Sequence, residues 1–193
     1  MITNSWVWKR ELKKELRAFI KFSITTDFSS KTIDMDRVFL RIEKFFFLSA
    51  FIIRKLHESH KLSGELIGWN IALEKYQRKQ ENINEVYDLL NRFEIDKFFD
   101  FENPIKCSLG AINLCNNIIH SFFFFPSYDL DTEQGKTLLA GVLFTSDKES
   151  KSAMYFISLS SFFSFIEQVI GDNIVSLHFS RESGKIKTSK VSH

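Results

Sequence analysis

The segment Leu114-Cys115-Asn116-Asn117-Ile118-Ile119-His120-Ser121 sets two amides and one imidazole into an otherwise apolar helical pattern. His120 follows Asn116 by four residues and Asn117 by three, so on a helix either amide can hydrogen-bond the ring and fix its tautomer. Imidazole titrates closer to neutral pH than any other side chain, and a held imidazole suits general acid–base catalysis. The bland alternative is a buried, hydrogen-bonded histidine that anchors its helix against Phe122 to Phe125.

Other chemistries find less support. GxGxxG, GxxxxGK[ST] and GxSxG are absent from a chain with only 7 glycines, which removes the common phosphate-cradling and nucleophile-elbow routes. His57-Glu58-Ser59-His60 is one residue short of HExxH, so the second ring is turned by about 100° from its zincin position, and no third ligand is identifiable. Cys107 and Cys115 lack CxxC spacing and read as small buried core residues. Placed on one helix they stand about 12 Å apart, beyond disulfide reach. Neither metal nor cofactor is implied. Together with a start that lacks signal-peptide order, the thiols suggest a reducing cytoplasm.

These residues must be positioned by elements that the apolar spacing outlines. Trp8, Leu12, Leu16, Phe19 and Ile20 predict a helix over residues 5–22, followed by a polar connector. Residues 34–62, without Gly or Pro, predict a long core helix. Residues 65–79 alternate as well as they spiral. A short helix over 84–92 would turn Val86, Leu89, Leu90 and Phe93 inward, and Ser108 would cap a helix running to Ser121. Beyond Pro126 the pattern alternates, predicting a hairpin of 137–144 with 153–159, a helix over 161–170, and a hairpin of 173–180 with 185–191. The expected class is α+β: a helical bundle over 1–125 and a β-rich C-terminal region over 126–193 packed on it, or both as one continuous domain.

The formal net charge of +2 conceals opposed patches. Residues 1–22 carry Lys9, Arg10, Lys13, Lys14, Arg17 and Lys21 against Glu11 and Glu15; residues 85–104 carry six acidic residues against Arg92 and Lys97. Arg181, Lys185, Lys187 and Lys190 make the C-terminal stretch basic, a candidate contact for RNA or a protein partner. The 22 phenylalanines exceed ordinary usage, and a surplus of large apolar groups favours self-association or a partner subunit. No apolar stretch is long enough to span a bilayer.

The string Asn116-x-x-x-His120, in an apolar helix within a helical region built on one long helix, resembles the HEPN superfamily of helical domains over residues 34–122. The family's motif is often Arg-Asn-x-x-x-His, and many members are ribonucleases that act as dimers in toxin–antitoxin, CRISPR or phage-defence systems. The resemblance implies a catalytic His120 and a polar Asn116, but Cys115 occupies the place of the arginine. Arg54 could supply the missing cation, and Arg54 and His60 also fit a looser form of the motif. Two functions follow. With the arginine missing at 115, the favoured one is a non-enzymatic interaction or regulatory subunit of a cytoplasmic complex, a homo-oligomer or a partner-bound protein, in defence against mobile elements. The alternative is a metal-independent endoribonuclease with His120 as acid or base, Arg54 as charge stabiliser and Asn116 or Asn117 as orienter.

Overall fold

The computed structural model describes residues 4–131, 135–181 and 186–190. The class is α+β. Two long helices open the chain. In α1 (Ser5–Thr25), Asn4 accepts from the Trp6 N–H at 3.2 Å, and Lys9, Leu12, Leu16, Phe19 and Ser23 form the buried stripe. In α2 (Met35–Glu58), Asp34 accepts from the Arg37 N–H, and the charge-poor middle, Phe45 to Ile53, is largely buried. Ser63 then caps the single turn α3 (Gly64–Ile67).

The stretch that both alternates and spirals divides between α3 and a strand, β1 (Asn70–Gln77). The expected helix from Ser108 to Ser121 is corrected. Residues Ile105–Gly110 form β2, and only Ala111–Ile119 form a helix, α5. Antiparallel pairing with β1, from Asn70↔Gly110 to Lys75↔Ile105, gives the backbone of 105–110 its partners, and such a long-range ladder is invisible to local periodicity. Cys107 is therefore on a strand and Cys115 on a helix, so the shared-helix spacing does not apply; both are free thiols.

The expected helix over 84–92 is also corrected. A 3-10 turn at Gln80–Asn82 leads into a loop, with a short helix α4 only at Ile95–Phe98. Asn91 accepts from the Asp88 N–H and donates to the Val86 carbonyl, both at 2.8 Å, while Asp88 accepts from the Leu90 N–H. Such side chain–backbone bonds offer the chain an alternative to the helical ladder. Tyr87, not Val86 or Leu90, is the residue turned inward.

The remaining elements are β3 (Ser121–Asp131), β4 (Lys136–Ser146), β5 (Ala153–Ser158), α6 (Leu159–Gly171), β6 (Ile174–Phe179) and β7 (Ile186–Lys190). Both expected C-terminal hairpins form, β4 with β5 and β6 with β7. The main sheet is antiparallel throughout, in the order β2-β1-β5-β4-β3, while β6 and β7 pair separately. The anticipated 125/126 division falls inside β3, and β1 and β2 pair into the same sheet as β4 and β5.

Strand alternation gives this sheet two apolar faces. Ile71, Leu73, Val142, Phe144, Tyr155 and Ile157 join the main core with α1, α2, α5 and α6. Their neighbours of opposite parity, Tyr76, Leu143 and Met154, form a second cluster with Tyr87, Phe98 and Phe99 from the segment that crosses the other face. Much of the phenylalanine surplus is interior: Phe19 stacks on Phe45 at 3.9 Å, and Phe46 on Phe162 at 4.3 Å. Tyr155, Ile157, Leu159 and Phe162 are buried within the chain. Among the described residues no helix is long and apolar enough to cross a membrane.

One glycine is demanded by close approach. A Cβ on Gly141, in β4, would lie 2.1 Å from the Ile157 carbonyl oxygen and 2.7 Å from the Phe156 ring. Gly141→Ala is expected to destabilise the fold by about 2 kcal/mol through backbone displacement, read as a lower denaturation midpoint at unchanged slope.

Candidate functional site

The site forms where the end of α5 meets the last turns of α2. The two helices pack together, and Leu114, Cys115 and Ile118 of one and Ile52, Ile53 and Leu56 of the other belong to the same buried core. That contact brings Arg54 to His120: the Nη1 of Arg54 lies 3.2 Å from the Nε2 of His120. Guanidinium has no acceptor, so Arg54 donates and Nε2 supplies the lone pair, which leaves the ring proton on Nδ1. The opposite edge of the guanidinium is fixed by Glu58, whose Oε1 accepts from Arg54 Nε at 2.9 Å, while Oε2 accepts from Lys55 at 2.6 Å. The hydrogen bonds from Lys55 and then Arg54 hold the Glu58 carboxyl below the usual range, although the group is solvent-exposed.

His120 is exposed. It is the C-cap of α5, with φ −102° and ψ 28°, and its N–H donates to the Asn116 carbonyl at 2.9 Å. The ring nitrogen Nε2 meets Arg54, while the amides at i−3 and i−4 line the same cleft as the ring. Asn117 donates to the Asn113 carbonyl at 3.0 Å, and the Asn116 Oδ1 is buried without a hydrogen-bond partner among the described residues.

An open cleft of about 590 Å³ adjoins the ring, lined by Asn113, Asn116, Asn117, His120 and the β4–β5 turn from Ser146 to Glu149. Of the residues singled out in the sequence, His120, Asn116 and Asn117 line this cleft, and Arg54 reaches it through His120. Glu58 as the holder of Arg54, Asn113, and the rim residues Asp147 and Lys148 were missed. The charged run 147–152 between the two strands of the β4–β5 hairpin reads as a turn, but only sheet order places the turn beside α5.

Cys115, where the resemblance would place arginine, is fully buried, and burial pushes its thiol up to about 12 against the opposing charge of Arg54. Arg54 thus acts on the same locality from the adjacent helix. His57 also lies on α2, with its Nδ1 buried and without a hydrogen-bond partner among the described residues; burial, followed by His60, lowers its pKa, and Glu58 opposes this. Among the described residues no cluster of three or more His, Cys, Asp or Glu side chains is placed to hold a metal ion. Arg181 is exposed at the end of β6, Lys187 and Lys190 are positions on β7, and Lys185 lies outside the described residues. None of the described three lines the cleft. β7 adjoins α3, with Thr188 donating to the Leu62 carbonyl in the segment between α2 and α3.

No protein-family description matches the chain, and no similar curated protein or solved structure is found.

Proposed function

We propose that the chain is a metal-independent endoribonuclease whose working pair is Arg54 and His120. The observation that carries this reading is the 3.2 Å contact between guanidinium and imidazole at an open cleft. The absence of arginine at position 115 favoured a non-catalytic role, and a cation arriving from α2 removes that objection. The likeness of Asn116-x-x-x-His120 to the HEPN pattern points the same way.

An entering phosphodiester competes for the guanidinium. When the donors of Arg54 turn to the non-bridging phosphate oxygens, the Nε2 lone pair of His120 is freed. It takes the proton of the adjacent ribose 2′-hydroxyl; the 2′-oxygen forms a bond to phosphorus, the bond to the 5′-oxygen breaks, and that oxygen takes a proton from His120 or water. Arg54 stabilises the charge on the phosphorane-like oxygens, and the amides of Asn117 and Asn116 orient the strand. Purified protein in EDTA is expected to cut single-stranded RNA, leaving a 2′,3′-cyclic phosphate and a 5′-hydroxyl. A preparation that leaves RNA intact at every salt concentration overturns the reading.

A second reading, a non-catalytic subunit in a complex, is favoured by the exposed apolar loop around Leu90. Intact RNA together with a stably retained protein partner would select it.

A further inference from the structure

The segment that covers the outer face of the sheet holds apolar side chains in water. Leu90 is 95 % exposed, and Val86, Leu89 and Phe93 are each at least 65 % exposed. The backbone beneath them is tied down. Tyr87 is buried against Phe98 and Phe99 and donates to the Arg92 carbonyl at 2.7 Å. Buried Arg78 donates to the carbonyls of Asn82 and Glu85, and Asn82 donates to the Lys97 carbonyl at 2.6 Å. A loop so extensively hydrogen-bonded that still presents four large apolar groups to solvent is pre-organised for contact, because little ordering remains to be lost on docking. Its rim is acidic: Glu81, Glu85, Asp88, Glu94 and Asp96 outnumber Arg92 and Lys97. Arg92 and Phe93 also border a cleft of about 400 Å³ lined by Phe39, Phe47 and Phe122 to Phe125.

The complementary surface is on the same chain. The outward face of α1 carries Trp6, Arg10, Lys13, Arg17 and Lys21 at spacings of four, three, four and four residues, opposite the buried stripe that starts at Lys9. All five are exposed, and Trp6 is 60 % exposed with the Arg10 guanidinium 4.4 Å above its ring. This gives the basic stripe a large aromatic group at one end, the kind of residue that anchors protein interfaces.

We infer that the 81–96 loop docks on the outward face of α1 of a second copy of this chain. The acidic rim meets the basic stripe, and Val86, Leu89, Leu90 and Phe93 meet Trp6 and the stems of the basic side chains. This does not rest on the ribonuclease reading, because neither surface includes Arg54, His120 or the residues lining their cleft.

Light scattering on the full chain tests the inference. At low salt the mass should equal two protomers or more, falling toward one as salt rises from about 0.15 M to about 1 M and the screening length shrinks from about 8 Å to about 3 Å. Leu90→Asp, at a residue the fold does not bury, should weaken association about thirtyfold with an unchanged circular dichroism spectrum. The Lys13→Glu/Arg17→Glu and Glu81→Lys/Glu94→Lys chains should each be monomeric alone and should associate when mixed. A monomer at low salt overturns the inference. So does an oligomer indifferent to Leu90→Asp, or a failure of the two charge-reversed chains to associate. RNA binding through α1 by a chain that stays monomeric would assign the stripe to nucleic acid and likewise overturn it.

Discussion

Arg54→Lys is expected to slow RNA cleavage about a hundredfold, chiefly in kcat, while His120→Ala takes it below detection. Lysine keeps the charge but loses the planar fork. One ammonium cannot donate to Glu58 and to a phosphate oxygen in the directions that Nε and Nη1 now serve. The cation cannot be resupplied from position 115, because the Cys115 side chain is fully buried and an arginine there would be a desolvated charge. Glu58→Gln tests positioning apart from chemistry. Its carbonyl still accepts from Arg54 Nε, so a loss of only about tenfold is expected, whereas Glu58→Ala should approach the Arg54→Lys deficit. Circular dichroism should be unchanged in all four variants, since these side chains are exposed or half-exposed. Wild-type rates in Arg54→Lys would separate Arg54 from the chemistry.

The parts of the fold legible in the sequence are those whose pattern is local. The stripe Leu12-Leu16-Phe19 marked α1, the Gly-free run around Phe45 marked α2, and alternation around Val142 and Tyr155 marked the central hairpin. The errors lie where a distant partner decides. The helix expected from Ser108 takes in Leu109 and Gly110, yet β1 supplies a ladder for all of 105–110. Val86, Leu89, Leu90 and Phe93 have the spacing of a buried helical face, and that spacing is kept for solvent-facing residues while Tyr87 and Phe98 enter the second cluster. Burial there follows from the outer face of a sheet whose strand order cannot be read from 80–100 alone. The candidate site divides in the same way. His120 and its amides were visible as residue types on one helix. The Arg54 contact depends on the packing of α2 against α5, which lies outside local pattern, and the role of Glu58 depends on the side-chain geometry of Arg54.

Asp172→Ala is expected to destabilise the fold by about 3 kcal/mol, because Asp172 ties together three pieces of chain that are distant in sequence at the end of α6. Its Oδ2 accepts from the Ser63 N–H at 2.7 Å, at the cap of α3, and its backbone carbonyl accepts from the ammonium of Lys9 on α1. Asp172 is 4 % exposed, and its Oδ1 has no hydrogen-bond partner among the described residues, so the carboxylate's remaining favourable interaction is with the Lys9 charge. Burial lowers the Lys9 pKa from 10.5, and Asp172 opposes that shift. The sign follows from linkage. With the folded pKa below the unfolded one, the unfolded state binds more protons between the two values, so the penalty for burying the ammonium is full below the folded pKa and vanishes as pH approaches 10.5. Asp172→Asn separates the two roles, since its amide oxygen can still accept from Ser63 while the charge is gone. Its deficit relative to wild type should be smaller than that of Asp172→Ala, and it should shrink as pH rises toward 10.5 and Lys9 neutralises in both proteins. Denaturant midpoints across that range measure this. A deficit independent of pH would leave the hydrogen bond to Ser63 as the whole contribution and remove the charge coupling between α1 and the end of α6.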